Sequence, residues 1–310
     1  MSSIPVFIDT DIGDDIDDAI ALAYALSNPC FHVAGISIVG YAGEIRAGIV
    51  SALLEAVGKS APIAIGSERV STNAGTIHSG QIRWAARHLK PVRPQVDAAE
   101  LLYSLAKEYA GRLHLVTLGP LTNIAAAFQR YPELPGMFES VHVMGGEVQV
   151  FRREHNFAAD YIAASKVVEK GKNVHLSTWS VGMQLQFHSG LKDRLRRSQQ
   201  PHAKLLCELI AAWGAGYDPV LFDVVPFLHL EEPRVVPSRL FRLVVETQGA
   251  YTRGVTVDVD EHATGLPLHV HLGEQPAGYP VAVSTGLSVP EAEAMLALGL
   301  DLEAVVDEPQ

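Results

Sequence analysis

The segment Val6-Phe7-Ile8-Asp9-Thr10-Asp11-Ile12-Gly13-Asp14-Asp15-Ile16-Asp17-Asp18 runs from an apolar stretch into six aspartates. Residues 5–9 predict a buried strand, and residues 18–28 have the spacing of a helix that ends before Pro29. Gly13 permits a tight turn between the two elements. Ligands of α/β sheets bind beyond the carboxyl ends of strands, so the acids of this turn are predicted to form a functional site.

The same alternation of short β-branched runs and amphipathic stretches continues along the chain. Further strands are predicted at 32–39, 62–66, 113–119, 140–146 and 174–181, and further helices at 44–57, 97–110, 121–130 and 158–171. Residues 239–246 and 255–259 predict a late antiparallel hairpin. This order predicts an α/β fold with a mostly parallel, Rossmann-like open sheet and helices on both faces. With no linker or repeat in the sequence, we interpret residues 1–310 as a single domain.

Charge and composition restrict the classes of partner. The formal net charge of −11 disfavours nucleic acid and suits a bound cation or a neutral small molecule. No apolar run is long enough for a membrane span, and the N-terminus lacks the pattern of a signal peptide, so we expect a cytoplasmic protein with no membrane partner. Cys30 and Cys207 are isolated and are predicted to pack in the core.

The density of acids after the first strand predicts a metal site. Carboxylates about 4 Å apart repel each other, and a hard divalent cation such as Ca²⁺ or Mg²⁺ removes that cost. Helix capping explains one or two acids at a helix start but not six. A strand followed by Asp-x-Asp also occurs in phosphotransferases of the haloacid dehalogenase superfamily, where the first Asp is a nucleophile. The distal motifs separate these two interpretations.

Three distal segments follow predicted strands or apolar stretches. They are Val-Thr-Leu-Gly-Pro-Leu-Thr-Asn-Ile-Ala at 116–125, Glu-His-Asn-Phe-Ala-Ala-Asp at 154–160 and Leu-Phe-Asp-Val-Val-Pro at 221–226. With the aspartate segment, they resemble in order the signatures of the nucleoside hydrolase family, the inosine-uridine preferring type. The matches span residues 9 to 223, about two-thirds of the chain. The distal Lys and acidic pair expected of a phosphotransferase are missing.

The resemblance implies the nucleoside hydrolase fold and Ca²⁺-dependent hydrolysis of the N-glycosidic bond of ribonucleosides to ribose and free base. It also implies a small-molecule nucleoside as partner and a homodimer or homotetramer. By resemblance, Asp11 ligates calcium and acts as the general base. The further ligands that it implies are Asp18, Asp223 and, through its backbone carbonyl, Leu118.

The resemblance also implies a set of residues that hold the sugar. Asp17 is assigned to the ribose hydroxyls, together with Glu154 and Asn156. Glu154 and Asn156 are two positions apart, and on an extended stretch both side chains would point to the same side.

The sequence departs from the family pattern at several places. Three residues separate Gly13 from Asp17-Asp18 where the family has one, so we infer a two-residue insertion and keep Asp15 as a possible ligand. Tyr41 stands where the family has a sugar-contacting Asn and is predicted to line the pocket. Phe222 replaces a His that often assists the departing base.

Leaving-group assistance is therefore unassigned from the sequence. His78, in a loop predicted to cover the site, is one candidate, and His155 and Trp179 are others. The departures also leave two rival functions open. One is a calcium- and ribose-binding protein with weak or lost catalysis, and the other is a hydrolase of a different N-ribosylated compound.

Overall fold

The strands form a single sheet. The computed structural model describes residues 3–69, 79–260 and 278–302. Within these ranges the strands are β1 Ile4–Thr10, β2 Phe31–Ile38, β3 Ile63–Ile65, β4 Leu113–Thr117, β5 Phe138–Met144, β6 Val174–Ser177, β7 Ser238–Val245, β8 Thr256–Asp258 and β9 Tyr279–Ser284. Their order across the sheet is β3-β2-β1-β4-β5-β6-β9-β7-β8. All neighbours pair in parallel except β7, which is antiparallel to both β8 and β9.

Helices connect the strands. In the described part of the chain they are α1 Asp17–Ser27, α2 Gly43–Val57, α3 Gly80–His88, α4 Ala98–Tyr109, α5 Thr122–Arg130, α6 His155–Ala159, α7 Tyr161–Lys170, α8 Trp179–Gly182, α9 Ser189–Arg197, α10 Pro201–Trp213, α11 Val225–Glu231 and α12 Val289–Gly299. Two 3₁₀ turns, Leu134–Met137 and Phe222–Val224, precede β5 and α11. None of the described helices is long and apolar enough to cross a membrane.

The sheet separates two hydrophobic cores, as an open α/β sheet with helices on both faces requires. Along β1, Val6 and Ile8 pack into one core with side chains from α1, α2, α10, α11 and α12. Phe7 points to the opposite face and packs with side chains from α4, α5 and α7. Alternate residues of a strand point to opposite faces, so both cores are built from one short apolar run. The predicted mostly parallel α/β fold is confirmed.

Two details test the strand predictions further along the chain. The late hairpin is confirmed, since β7 and β8 pair antiparallel with Leu243 opposite Asp258. The predicted strand at 174–181 is too long, because β6 ends at Ser177 and the helical turn α8 follows. The amide of Thr178 donates to Oγ of Ser284, 3.0 Å away, instead of continuing the ladder. Strand β6 therefore ends at the point where the Ser284 hydroxyl, and not a strand carbonyl, accepts the hydrogen bond of the next amide.

Parallel pairing places several loop starts at one edge of the sheet. Asp9 on β1 lies beside Thr117 on β4, and Thr117 lies beside Val143 on β5. The acidic loop, the loop after Thr117 and the loop after Met144 therefore leave the sheet side by side. This is the edge at which ligands bind in open α/β sheets.

Candidate active site

Three buried carboxylates converge at this edge of the sheet. Asp17 and Asp18 form the first turn of α1, and Asp223 lies in the 3₁₀ turn before α11. One oxygen of each lies within 4.8 Å of the others, and each residue is only 4 % exposed. Burial raises the pKa of all three well above the ordinary value, and neighbouring carboxylates raise it further. We refer to these three residues as the acidic cluster.

Asp11 borders the acidic cluster on the side of the β4 loop. Its carboxylate lies against Gly119, where an added Cβ would be 2.6 Å from Oδ1 of Asp11. Burial raises the pKa of Asp11, and the Arg46 guanidinium acts against that rise. The negative charge of Asp11 also raises the pKa of each of the three carboxyl groups in the acidic cluster. Four carboxyl groups therefore share one region, and a hard divalent cation fits a donor set made of oxygen atoms.

The Leu118 carbonyl, predicted as a further ligand, faces Asn156. Nδ2 of Asn156 donates to this carbonyl oxygen at 2.6 Å and to the Met144 carbonyl at 3.2 Å. Asn156 is buried, and its amide links the loop after β4 to the last residue of β5. The asparagine predicted to hold sugar is thus beside the carbonyl predicted to hold metal.

The expected extended conformation of residues 154–156 is wrong. Glu154 is the N-cap of α6, and its carboxylate accepts hydrogen bonds from the amides of Asn156 and Phe157, both at 3.0 Å. The amide of Gly146 donates to the same carboxylate at 3.2 Å. The free amides of a helix start need acceptors, and the Glu154 side chain supplies them. Glu154 is consequently buried and is engaged with backbone.

Arg46 organises the acidic loop from beneath. Its side chain is fully buried and donates to the carbonyls of Tyr41 at 2.6 Å and Ile12 at 2.8 Å, and to the carbonyl of Asp11. Its Nη2 forms an ion pair with Asp14 Oδ2 at 2.8 Å. A buried guanidinium needs acceptors for its donors and a counter-charge, and this loop provides both. Asp14, which belongs to the inferred insertion, is therefore engaged in an ion pair with Arg46.

Two other predicted residues, Tyr41 on the loop after β2 and Asp15 on the acidic loop, have hydrogen-bond partners of their own, and the charge of Asp15 raises the pKa of Asp17 and Asp223. Tyr41 was predicted to line the pocket; its hydroxyl donates to Oδ1 of Asp14 at 2.9 Å, and its ring lies 4.6 Å from the Arg46 guanidinium carbon. Asp15 is exposed and accepts hydrogen bonds from the Ile16 amide at 2.8 Å and from Trp213. His78 lies outside the described residues.

The profile of one protein family matches nearly the whole chain. The inosine-uridine preferring nucleoside hydrolase family matches residues 6–306.

The chain belongs to this nucleoside hydrolase family.

It is accordingly a hydrolase that acts on N-glycosyl compounds. A relative named "Probable uridine nucleosidase 1", from Oryza sativa subsp. japonica, is 27 % identical over an alignment of 318 positions that covers 94 % of this chain and 94 % of the relative.

A second relative is bacterial and also aligns along most of its length. The "Pyrimidine-specific ribonucleoside hydrolase RihA" of Klebsiella pneumoniae subsp. pneumoniae is 28 % identical over 285 residues, covering 85 % of this chain and 91 % of the relative. Among solved structures, a plant nucleoside hydrolase superposes with a TM-score of 0.82 at 21 % identity, covering 96 % of this chain and 98 % of the other. The structural match shows that the nucleoside hydrolase fold is shared.

The departures from the family pattern can now be placed around the acidic cluster. Phe222, which replaces the family His, is half-buried and packs against Gly182. His155 is exposed, and a positive charge on it lowers the pKa of Asp11, Asp15 and Glu154. His155 is therefore electrostatically coupled to this nucleoside hydrolase site.

Trp179, another residue considered for leaving-group assistance, has a different partner. The guanidinium carbon of Arg152 lies 3.9 Å from the centroid of its ring. The Trp179 ring is therefore covered on one face by a cation, which is a favourable stacking arrangement.

Sequence reasoning missed Arg46, although a signal was present. Arg46 is the one basic residue in the predicted helix 44–57, and it shares an apolar face with Ile49, Val50 and Leu53 at helical spacing. A cation on the buried face of a helix near six acids predicts a buried ion pair.

Proposed function

We propose that this nucleoside hydrolase cleaves the N-glycosidic bond of pyrimidine ribonucleosides in a Ca²⁺-dependent reaction that gives ribose and free base. The observation that carries the proposal is the convergence of the acidic cluster, with Asp11 beside it, at the carboxyl edge of the sheet. The printed names of the two relatives, a uridine nucleosidase and a pyrimidine-specific hydrolase, support the class of substrate.

The donor set fits calcium. The proposed ligands are the carboxylates of Asp11, Asp18 and Asp223 with the carbonyl of Leu118, all of them oxygen donors. Calcium accepts more ligands and looser geometry than magnesium, which suits acids contributed by separate loops. When bound, the ion would lower the pKa of a water molecule and hold the 2′ and 3′ hydroxyls of ribose.

Side chains of the site carry out proton transfer and hold the ribose. Asp11 accepts the proton of the attacking water, for which its place between the acidic cluster and Gly119 is suited. Asp17 accepts hydrogen bonds from the ribose hydroxyls. The transition state of glycoside hydrolysis carries positive charge on the sugar, and the surrounding carboxylates stabilise that charge.

Asn156 and Glu154 support the sugar side of the site. The Asn156 amide fixes the Leu118 carbonyl at 2.6 Å, and its side-chain oxygen remains as an acceptor for a hydroxyl group. Glu154 orders the loop through its three backbone hydrogen bonds. These bonds give Glu154 a role in shaping the pocket, in addition to its proposed contact with the sugar.

The departing base requires a proton from another residue than Phe222, whose ring has none to give. We assign this step to His155, because it is exposed, directly follows Glu154 and is electrostatically coupled to Asp11 and Glu154. In this step the His155 imidazolium donates its proton to the ring nitrogen or oxygen of the base as the bond to ribose breaks.

A nucleoside panel tests the proposal. Untagged protein is stripped with EDTA, dialysed, and assayed by chromatography for base and by reducing-sugar measurement for ribose, with and without Ca²⁺. We expect equal amounts of uracil and ribose from uridine, dependence on Ca²⁺, and slower release from purine nucleosides.

Two aspartate variants serve as a matched pair. Asp223→Asn removes a proposed ligand, whereas Asp218→Asn makes the same change at a half-exposed aspartate that pairs with Lys192. Activity should be lost in the first and kept in the second. Hydrolysis that persists in EDTA would contradict the metal requirement. Failure to release base from any nucleoside, with thermal stabilisation by Ca²⁺ plus ribose, would establish the binding-protein alternative.

A further inference from the structure

Four histidines lie together inside the protein, away from the acidic cluster. They are His114 on β4, His142 on β5, His175 on β6 and His229 on α11. His142 and His175 are register partners on neighbouring parallel strands, and His229 approaches them from the helix. His142 and His229 are buried, and the other two are half-buried. Buried imidazoles cost solvation energy, so such a group calls for a physical explanation.

Three of the rings form a compact triangle. Their centroids are separated by 4.8 Å for His142 and His175, 4.8 Å for His175 and His229, and 5.4 Å for His142 and His229. Nδ1 of His142 lies 3.4 Å from Nδ1 of His229. Two imidazole nitrogens bound to one tetrahedral zinc ion at their usual bond lengths would be about 3.3–3.4 Å apart. The observed separation, which also allows a direct hydrogen bond between the two rings, matches that of two ligands sharing an ion.

The third ring offers a nitrogen that is free to take part. Nδ1 of His175 is buried and has no hydrogen-bond partner among the described residues. Buried polar atoms in proteins are nearly always satisfied by protein, water or an ion. The His175 ring is parallel to that of His142 within 6°, so it must rotate for its nitrogen to reach the same point as the other two.

The outer side of His142 is held in the orientation that a metal ligand needs. Ser140 Oγ lies 2.7 Å from Nε2 of His142 and 2.7 Å from Nδ1 of His114. If Nε2–H of His142 donates to Ser140, and the Ser140 hydroxyl donates to His114, then Nδ1 of His142 keeps a lone pair toward His229. Metal-binding histidines generally donate their second ring nitrogen to such a partner.

The protonation state also suits coordination. Burial lowers the pKa of His142 well below its ordinary range, that of His229 to about 4, and that of His175 as well. At neutral pH the three rings are therefore uncharged, and the neutral imidazole is the form that binds metals.

We propose that His142, His175 and His229 form a binding site for one divalent transition-metal ion of the zinc type, separate from the active site. Imidazole nitrogen suits Zn²⁺, Co²⁺, Ni²⁺ and Cu²⁺, whereas Ca²⁺ prefers oxygen. With three protein ligands, the fourth position holds water. The ion ties α11 to β5 and β6, and α11 starts two residues after Asp223, so binding also steadies the Asp223 turn.

Cobalt titration tests this site directly. Untagged full-length protein is stripped with EDTA, dialysed, and kept in excess Ca²⁺ so that the acidic cluster is not available to Co²⁺. We expect one equivalent of Co²⁺ per chain, with the intense visible absorption of tetrahedral nitrogen coordination, which Zn²⁺ then displaces. Absence of Co²⁺ uptake by the wild-type protein overturns the proposal, and this result needs no variant.

Variants locate the bound ion. His175→Gln and His229→Gln should each weaken Zn²⁺ binding more than about 100-fold, beyond the 10- to 100-fold loss typical of a residue that only orients a ligand. His32→Gln, at an exposed histidine bonded to Tyr109, and Asp223→Asn should retain the Co²⁺ spectrum. Circular dichroism of the metal-free variants confirms that they fold. Folded His175→Gln and His229→Gln proteins with unchanged Co²⁺ affinity, or loss of the spectrum in Asp223→Asn, would overturn the proposal.

Discussion

Replacing Asp14 by Ala tests whether this residue supports the acidic loop or ligates the metal. The change leaves the Arg46 guanidinium, which is fully buried, without its ion-pair partner at 2.8 Å. It also removes the acceptor of the Tyr41 hydroxyl at 2.9 Å. Arg46 keeps its bonds to backbone carbonyls, so the loop should stay folded but become less stable.

The expected cost follows from the exposure of the two partners. Breaking a fully buried ion pair by removing one partner costs about 3–5 kcal/mol. The Asp14 side chain is 34 % exposed, so water screens part of the interaction and we expect about 2 kcal/mol. For a chain of 310 residues, the usual entropy of unfolding per residue converts this to a fall in Tm of about 3 °C.

The assay is thermal unfolding in EDTA, because bound metal would add its own stabilisation. Asp193→Ala is the matched control, since Asp193 pairs with Arg196 at 2.9 Å while both side chains are more than half exposed. This control should lose at most about 1 kcal/mol. Calorimetric titration of Asp14→Ala with Ca²⁺ should give a Kd within about tenfold of wild type, because no ligand is lost. An unchanged Tm together with abolished Ca²⁺ binding would make Asp14 a ligand and refute the reasoning.

Three further predictions concern the active site. Gly119→Ala should displace the Asp11 carboxylate and lower kcat at least about tenfold with the fold intact. Gly286→Ala should not, because its added Cβ would meet only Pro237 Cγ, at an ordinary contact distance of 3.8 Å; equal kcat values would remove Asp11 from this position. Burial raises the pKa of Asp9 from 3.8 to about 7 and those of the acidic cluster well above their ordinary value, so protonation stabilises the metal-free native state and its Tm should fall as pH rises from about 4 to 7. Saturating Ca²⁺ should reduce that fall, because the carboxylates that it binds no longer take up protons, and a Tm that is constant or rises in EDTA would contradict the sign. His155→Ala should lower kcat for uridine, and an unchanged kcat would exclude His155 as the acid.

The fold and the start of the site could be predicted because their signals are local. The strand, turn and helix around Asp11 follow each other within about twenty residues, and each carries its own apolar period. Parallel order then brings the loops after β1, β4 and β5 to one edge without further information. Asp223 is different, since it is more than 200 residues from Asp18, and only a motif linked it to the others.

Other contacts depend on atoms that the linear pattern does not relate. Glu154 and Asn156 were expected to lie on an extended stretch, but the need of α6 for a cap made the segment helical. The partner of Asp14, in the inferred insertion, could not be predicted. That partner is Arg46 on α2, a helix whose sequence looks like an ordinary amphipathic one.

The histidine group was hidden for a similar reason. His114, His142 and His175 each stand alone within an apolar strand, where a single polar residue has no evident partner. Their proximity arises from the strand order β4-β5-β6 and from the position of α11, which brings His229 against them. Tertiary packing, and not local spacing, creates this cluster.

The most direct test of the central claim compares metal occupancy with turnover in one sample. EDTA-stripped protein is titrated with Ca²⁺ in a calorimeter, and the rate of uracil release from uridine is measured at the same free Ca²⁺ concentrations. If Ca²⁺ held at the acidic cluster is required for hydrolysis, one ion should bind per chain and the rate should rise in proportion to occupancy, with neither seen in Asp18→Asn. Full turnover at zero occupancy, or one bound Ca²⁺ in folded Asp18→Asn, would contradict the account.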